Sequence, residues 1–198
     1  MLIMKNSKLI FFILVTILFI ASSCIKEKVI PPIDYFPNEI GYTWVYNIYD
    51  SVAKKSDTLQ ISIIGSKNID GSDSKIWLLT YPNKTDTFFV SEKNDTVIFN
   101  TGIVRKVYVF PFFVNQIWDE YLASLTRKSE VIGIENISTE AGVFNNTYII
   151  SRFLAGYNYY LKEKVYFKPG VGIVKLYSFE YNLSAPEIKT WELKSKNF

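Results

Sequence analysis

The chain contains no histidine among its 198 residues. That absence removes nucleophile–imidazole pairs, histidine-bearing zinc sites and imidazole general bases, all of which need a ring that titrates near neutral pH. Carboxylate, lysine and tyrosine chemistry remain. Among the carboxylates Glu163 stands out, because in Tyr160 to Phe167 it shares an alternating face with Leu161, Val165 and Phe167. A carboxylate on an apolar face has either a raised pKa, as a glycan-cleaving acid requires, or a Lys or Arg partner, as in a structural ion pair. The adjacent pair Asp119 and Glu120 would diverge by about 100° on a helix and could not flank one glycosidic bond. The run Asn68 to Ser74 resembles a calcium loop, but Leu79 stands where the twelfth, acidic ligand belongs, and its Asp70-Gly71 reads as a hairpin turn. No metal or cofactor site is expected.

Two further groups are candidates for recognition or modification. Tyr157, Tyr159 and Tyr160 follow Gly156 and could form an aromatic platform for a sugar or another chain, with ordinary hairpin packing as the plainer reading. Ser51, Thr58 and Thr96 each follow an Asp and precede an aliphatic residue. That order resembles the O-glycosylation acceptor motif of exported Bacteroidota proteins, although strand alternation also generates it.

Cys24 is the only cysteine, so no intramolecular disulfide can form. Before it, Lys5 and Lys8 form a positive region, Leu9 to Ala21 an apolar core, and Ala21-Ser22-Ser23 a run of small residues. This order resembles a lipoprotein signal peptide cut before a lipid-bearing Cys24, and the apolar core is short of the roughly 20 residues of a spanning helix. An uncleaved anchor with an incidental cysteine is the alternative. Residues 1–23 are thus expected to be removed, residues 24–34, with Pro31-Pro32 among charges, to form a tether, and residues 35–198 to form a single β domain. Loss of Lys5 and Lys8 lowers the formal charge from +3 to +1, so nucleic-acid binding is not implied.

The elements that must position these residues are legible as alternation. Aromatic residues make up 17% of the chain, a composition suited to pleated surfaces. Period-two runs occupy Thr43 to Tyr49, Asp57 to Ile63, Lys75 to Tyr81, Thr85 to Ser91, Thr96 to Asn100, Arg105 to Phe110 and Glu130 to Ile137. They continue through Phe144 to Phe153, Tyr160 to Phe167, Ile173 to Tyr181 and Ile188 to Lys194, separated by turns such as Pro82-Asn83 and Pro169-Gly170. The fold class is mainly β: a curved antiparallel meander of about ten strands, an open or half barrel or a closed one.

One segment departs from that rhythm. Between Phe112 and Thr126 the apolar residues Val114, Ile117, Trp118, Tyr121, Leu122 and Leu125 recur at steps of three and four, which predicts a helix near 112–126 lying on the sheet. An internal repeat points the other way. Phe36-Pro37, Gly41 and Trp44 recur at the same offsets as Phe110-Pro111, Asn115 and Trp118, and a true duplication would make the second copy extended like the first.

Tyr35-Phe36-Pro37 through Gly41 and Trp44-Val45-Tyr46, with Gly170-Val171-Gly172-Ile173-Val174-Lys175 and Trp191-Glu192-Leu193 near the end, resembles uncharacterised lipoproteins of Bacteroidota. Asn38 and Tyr42 depart from the Leu and Asn usual there. The resemblance implies an outer-membrane lipoprotein, facing the periplasm or the cell surface, and brings no activity with it. Together these features predict a membrane-anchored, non-enzymatic binding or envelope-assembly module, its partner an envelope protein or a hydrophobic ligand, with a Glu163-based glycan-active enzyme as the competing class.

Overall fold

The computed structural model describes residues 35–69, 71–100, 104–122, 125–156, 159–181 and 186–198. Twelve strands follow one another: β1 (Thr43–Asp50), β2 (Lys55–Ile69), β3 (Ser72–Tyr81), β4 (Lys84–Lys93), β5 (Thr96–Asn100), β6 (Val104–Val109), β7 (Ile117–Leu122), β8 (Leu125–Thr139), β9 (Gly142–Gly156), β10 (Tyr159–Lys168), β11 (Gly172–Tyr181) and β12 (Pro186–Asn197). Each pairs antiparallel with its sequence neighbours, and β1 pairs with β12, so the meander closes into a barrel.

The faces follow the alternation. Leu59, Ile61 and Ile63 of β2 point inward and are buried, while Thr58 and Gln60 are exposed. On β10, Leu161, Glu163, Val165 and Phe167 are buried, and Lys162 faces water. An apolar interior beneath a polar outer wall is the reverse of a lipid-spanning barrel, whose outer band is apolar. Because the strands alternate in direction, the odd-numbered ones all begin at one end, called proximal below.

That proximal end is plugged. Phe36 enters from it and packs its ring 5.5 Å from Trp77, 5.4 Å from Phe99 and 6.0 Å from Phe167. Phe110 and Phe112 enter beside it and lie 5.6 and 5.3 Å from Phe167. Trp44 stacks on Trp77 at 4.9 Å. Rings at these separations gain more than area burial alone, about 0.5–1.5 kcal/mol per pair.

The helix expected near 112–126 is absent: the described part of that segment runs through an irregular stretch into β7 and the start of β8. Trp118 and Glu120 point inward, whereas Ile117 and Asp119 are exposed. A strand that buries a charge and exposes an isoleucine scrambles period two, and its apolar positions then fall by accident at helical steps.

The repeat describes the segment correctly, and it extends beyond the four matched residues. Gly41 and Asn115 both adopt left-handed backbone, with φ of 97° and 69°. Gly41 N–H donates to the Ile63 carbonyl at 2.8 Å and Ile63 N–H to that of Tyr42 at 3.0 Å; Asn115 N–H donates to Val131 at 2.8 Å and Val131 N–H to Gln116 at 3.0 Å. A bulge follows in each partner strand, between Ile63 and Gly65 and between Val131 and Gly133. Trp44 and Trp118 both send their indole N–H to a backbone carbonyl, those of Val171 in the β10–β11 turn and Val107 on the neighbouring β6. The barrel thus contains two copies of one local motif, one at β1–β2 and one at β7–β8, six strands apart.

Candidate functional site

Glu163 is where the interior chemistry converges. Burial alone would raise its carboxyl pKa, but the charges of Lys106, Arg152 and Arg127, and a hydrogen bond from Lys106, outweigh that and lower it to about 2. Lys106 Nζ lies 3.0 Å from Oε1, and Arg127 Nη1 and Arg152 Nη1 lie 3.6 and 3.8 Å from Oε2. The same two arginines hold a second carboxylate, Glu120. Arg152 Nε donates to its Oε1 at 2.8 Å, Arg127 Nε and Nη2 donate to its Oε2, and the Ser129 hydroxyl donates to Oε1 at 2.7 Å.

Cross-strand register brings these residues together. Glu120 on β7 stands opposite Arg127 on β8, and Ser129, Arg152 and Glu163 form one row across β8, β9 and β10. Arg152 also lies over the ring of Tyr108, 4.5 Å from its centroid, and donates to its hydroxyl at 3.2 Å. Glu120, Arg127, Ser129 and Arg152 are all buried. Burial works against ionisation of Glu120, yet Arg152 and Arg127 with their hydrogen bonds keep its carboxyl below the usual range. Both carboxylates are therefore ionised at neutral pH. A general acid needs the opposite shift. Among the described residues no group of three or more metal-ligating side chains is found.

The interior void beside this cluster is lined by Trp44, Tyr46, Trp77, Phe99, Lys106 and Trp191 among others and measures about 60 Å³. Pockets that take drug-sized ligands run from about 300 Å³ upward. The inward-facing aromatics are packed against one another and leave no acyl-sized channel among the described residues.

The remaining sites expected from the sequence are scattered. Cys24 and Tyr157 lie outside the described residues; Tyr159 and Tyr160 open β10, paired with Gly156 and Ala155 of β9. Ser51 sits in the β1–β2 turn, its hydroxyl accepting from Ile188 N–H at 2.8 Å. Thr58 is exposed on β2, and Thr96, half-buried, opens β5 at the proximal end. The structure brings none of these together. The Asn68–Ser74 run is the β2–β3 hairpin, with Gly71 at φ 79° and its N–H bonded to Asn68 Oδ1. Lys106, Arg127 and Arg152 join the site around Glu163 without having been singled out, and Glu120, set aside with Asp119 on the expectation of a helix, is its second carboxylate. The two arginines were detectable, since Arg127 alternates onto the face of Val131 and Arg152 onto that of Ile150.

No family model matches the chain, and no curated protein is significantly similar to it. Two crystal structures are. One is a proposed lipoprotein from Parabacteroides distasonis, 14% identical, matching over 82% of this chain and 98% of its own with a TM-score of 0.52. The other is a proposed exported protein with a YmcC-like fold from Bacteroides fragilis, 13% identical over 83% of this chain and 99% of its own, TM-score 0.50. At such identities the likeness is one of architecture: the chain shares its fold with two Bacteroidota proteins, one described as a lipoprotein and one as exported.

Proposed function

We propose that the protein is an exported lipoprotein, held at a membrane by lipid on Cys24, whose barrel is a non-enzymatic envelope module that acts through its surface. The observation that carries this reading is the N-terminal order of lysines, apolar core, small residues and cysteine, joined to a barrel whose interior is filled. The fold shared with two proteins described as a lipoprotein and as exported supports it. A carrier of acyl chains is not favoured, since the void of about 60 Å³ is too small for one. A Glu163-based hydrolase is not favoured either, because Glu163 and Glu120 share two arginines and neither holds a proton to donate. The outer membrane is the proposed location.

Cys24→Ser tests the anchor. The variant should lose acyl mass and leave the membrane fraction; unchanged acylation and partitioning would overturn the reading.

A further inference from the structure

The two copies of the repeated motif serve as an internal control on what the fold requires. Their backbones share three equivalent hydrogen bonds, the third being Tyr42 N–H to the Glu39 carbonyl at 3.2 Å and Gln116 N–H to the Phe113 carbonyl at 3.1 Å, although the Phe110–Pro111 peptide is cis and Phe36–Pro37 is not. Their outer surfaces differ. In the second copy Phe113, Val114, Ile117, Ile132 and Ile134, on two hydrogen-bonded segments, are 42% to 62% exposed. The corresponding residues of the first copy are Glu39, Ile40, Thr43, Ile64 and Ser66. Three of the five, Glu39, Thr43 and Ser66, are polar there, and Ile40 and Ile64 are exposed in the first copy too, so the motif folds with the smaller apolar surface and nothing in it requires the three apolar residues that the second copy adds, Phe113, Ile117 and Ile134. A contiguous exposed apolar patch of this kind marks an interaction surface.

The position of the patch indicates what covers it. Phe113 and Val114 lie in the segment that enters the proximal end after β6, and the described chain itself begins there. Tyr35 packs its ring 5.4 Å from Phe110, three residues before Phe113, and its carbonyl accepts from Gly170 N–H. From Tyr35 back to Cys24 are eleven residues, a reach of at most about 40 Å when fully extended. The lipid anchor, if Cys24 carries one, therefore pulls on the barrel beside this patch. We propose that the Phe113–Ile134 patch seats the proximal end of the barrel in the lipid interface of the membrane to which Cys24 is anchored, fixing the barrel's orientation on that membrane. This rests on the lipoprotein reading above. Asp119, Glu130 and Glu135 stand on the same strands, whose two cations are both engaged, Lys128 with Asp119 at 3.2 Å and the buried Arg127 with Glu120. The contact is accordingly apolar in character and should survive high salt.

The test uses the full acylated chain, in which Cys24 is blocked by lipid and one introduced cysteine can be labelled. Ile117→Cys, carrying a bimane and reconstituted in phosphatidylethanolamine–phosphatidylglycerol vesicles with nitroxide on the acyl chains, should lose roughly half its emission or more, as expected for a site seated about 5–10 Å into the headgroup–acyl boundary. Val52→Cys, exposed in the β1–β2 turn at the other end, should be unquenched. Importing the first copy's residues as Phe113→Glu, Ile117→Thr and Ile134→Ser, with the label moved to Val114→Cys, should leave thermal unfolding unchanged and abolish quenching. No quenching at Ile117→Cys overturns the proposal, as does a label shielded from water yet untouched by lipid nitroxide, which would mean a protein partner or a second copy. A triple variant that unfolds, or that remains quenched, overturns it too. Intact mass reads acylation separately: a chain without acyl mass on Cys24 refutes the anchor, and docking with it, whereas an acylated, unquenched chain refutes docking alone.

Discussion

Glu163 illustrates how one side chain's meaning depends on its neighbours. With Lys106, Arg127 and Arg152 around it, its folded pKa of about 2 lies below the ordinary 4.5, so the ionised form stabilises the fold. That contribution is fully present above about pH 4.5 and is lost as the pH falls towards 2, and the difference corresponds to roughly 3 kcal/mol. Urea midpoints followed from neutral to acid pH should therefore fall more steeply for the natural chain than for Glu163→Gln. The same variant should lose about 3 kcal/mol at pH 7, since it leaves buried cations with one counter-charge. It should leave any glycan-cleaving signal unchanged. Arg152→Met should cost a comparable ~3–5 kcal/mol, because Glu120 then keeps only Arg127 as a charged partner in a buried setting. Loss of activity on a glycan panel with stability intact in Glu163→Gln would reverse the assignment of a structural role.

At the scale of the element, β7 shows where periodicity misleads and a repeat succeeds. The helix reading took Ile117 and Trp118 as one apolar stripe, yet they face opposite ways on a strand, one in solvent and one in the core. On β2 the inner positions Leu59, Ile61 and Ile63 are apolar and Thr58 and Gln60 face outward, so its alternation was readable, whereas β8, β9 and β10 share the exception of β7 by turning Arg127, Arg152 and Glu163 inward. β7 carries Glu120 inward for the ion cluster and Ile117 outward on the exposed patch, and both local exceptions arise from contacts distant in sequence. The matched left-handed positions predict different tolerances. Gly41→Val places a β-branched residue at φ 97° and should lower stability by about 1–2 kcal/mol, whereas Asn115→Gly should change it by less than about 1 kcal/mol. Equal, large losses from both, measured by urea unfolding, would show that the two copies are not energetically equivalent.

For the molecule as a whole, closure and filling matter most. Pairing of β1 with β12 removes both sheet edges, and the Phe36 and Phe110 plugs occupy the space that an open half barrel would have offered to a ligand. Native mass spectrometry of the purified chain should accordingly show no non-covalently bound lipid. A stoichiometric fatty acid or phospholipid that survives delipidation would argue that the barrel opens. Such a filled barrel has its outer wall and rims left for function, which is why the exposed patch carries more functional information than the interior.

The sequence by itself determined the succession of strands apart from β7, the turn position of Gly71 and the apolar inner face of β2, because each is written in residues close together along the chain. It also contained the repeat, in Phe-Pro and Trp at equal spacing. Only the tertiary structure decided that the meander closes, that the aromatics fill the interior instead of lining a pocket, and that Glu163 meets three cations and shares two of them with Glu120. Those outcomes depend on which side chains face one another across the barrel: Lys106 and Glu163 are 57 positions apart, and Arg152 and Glu120 are 32 apart. Alternation fixes which way a side chain points, but barrel closure and register fix what it meets.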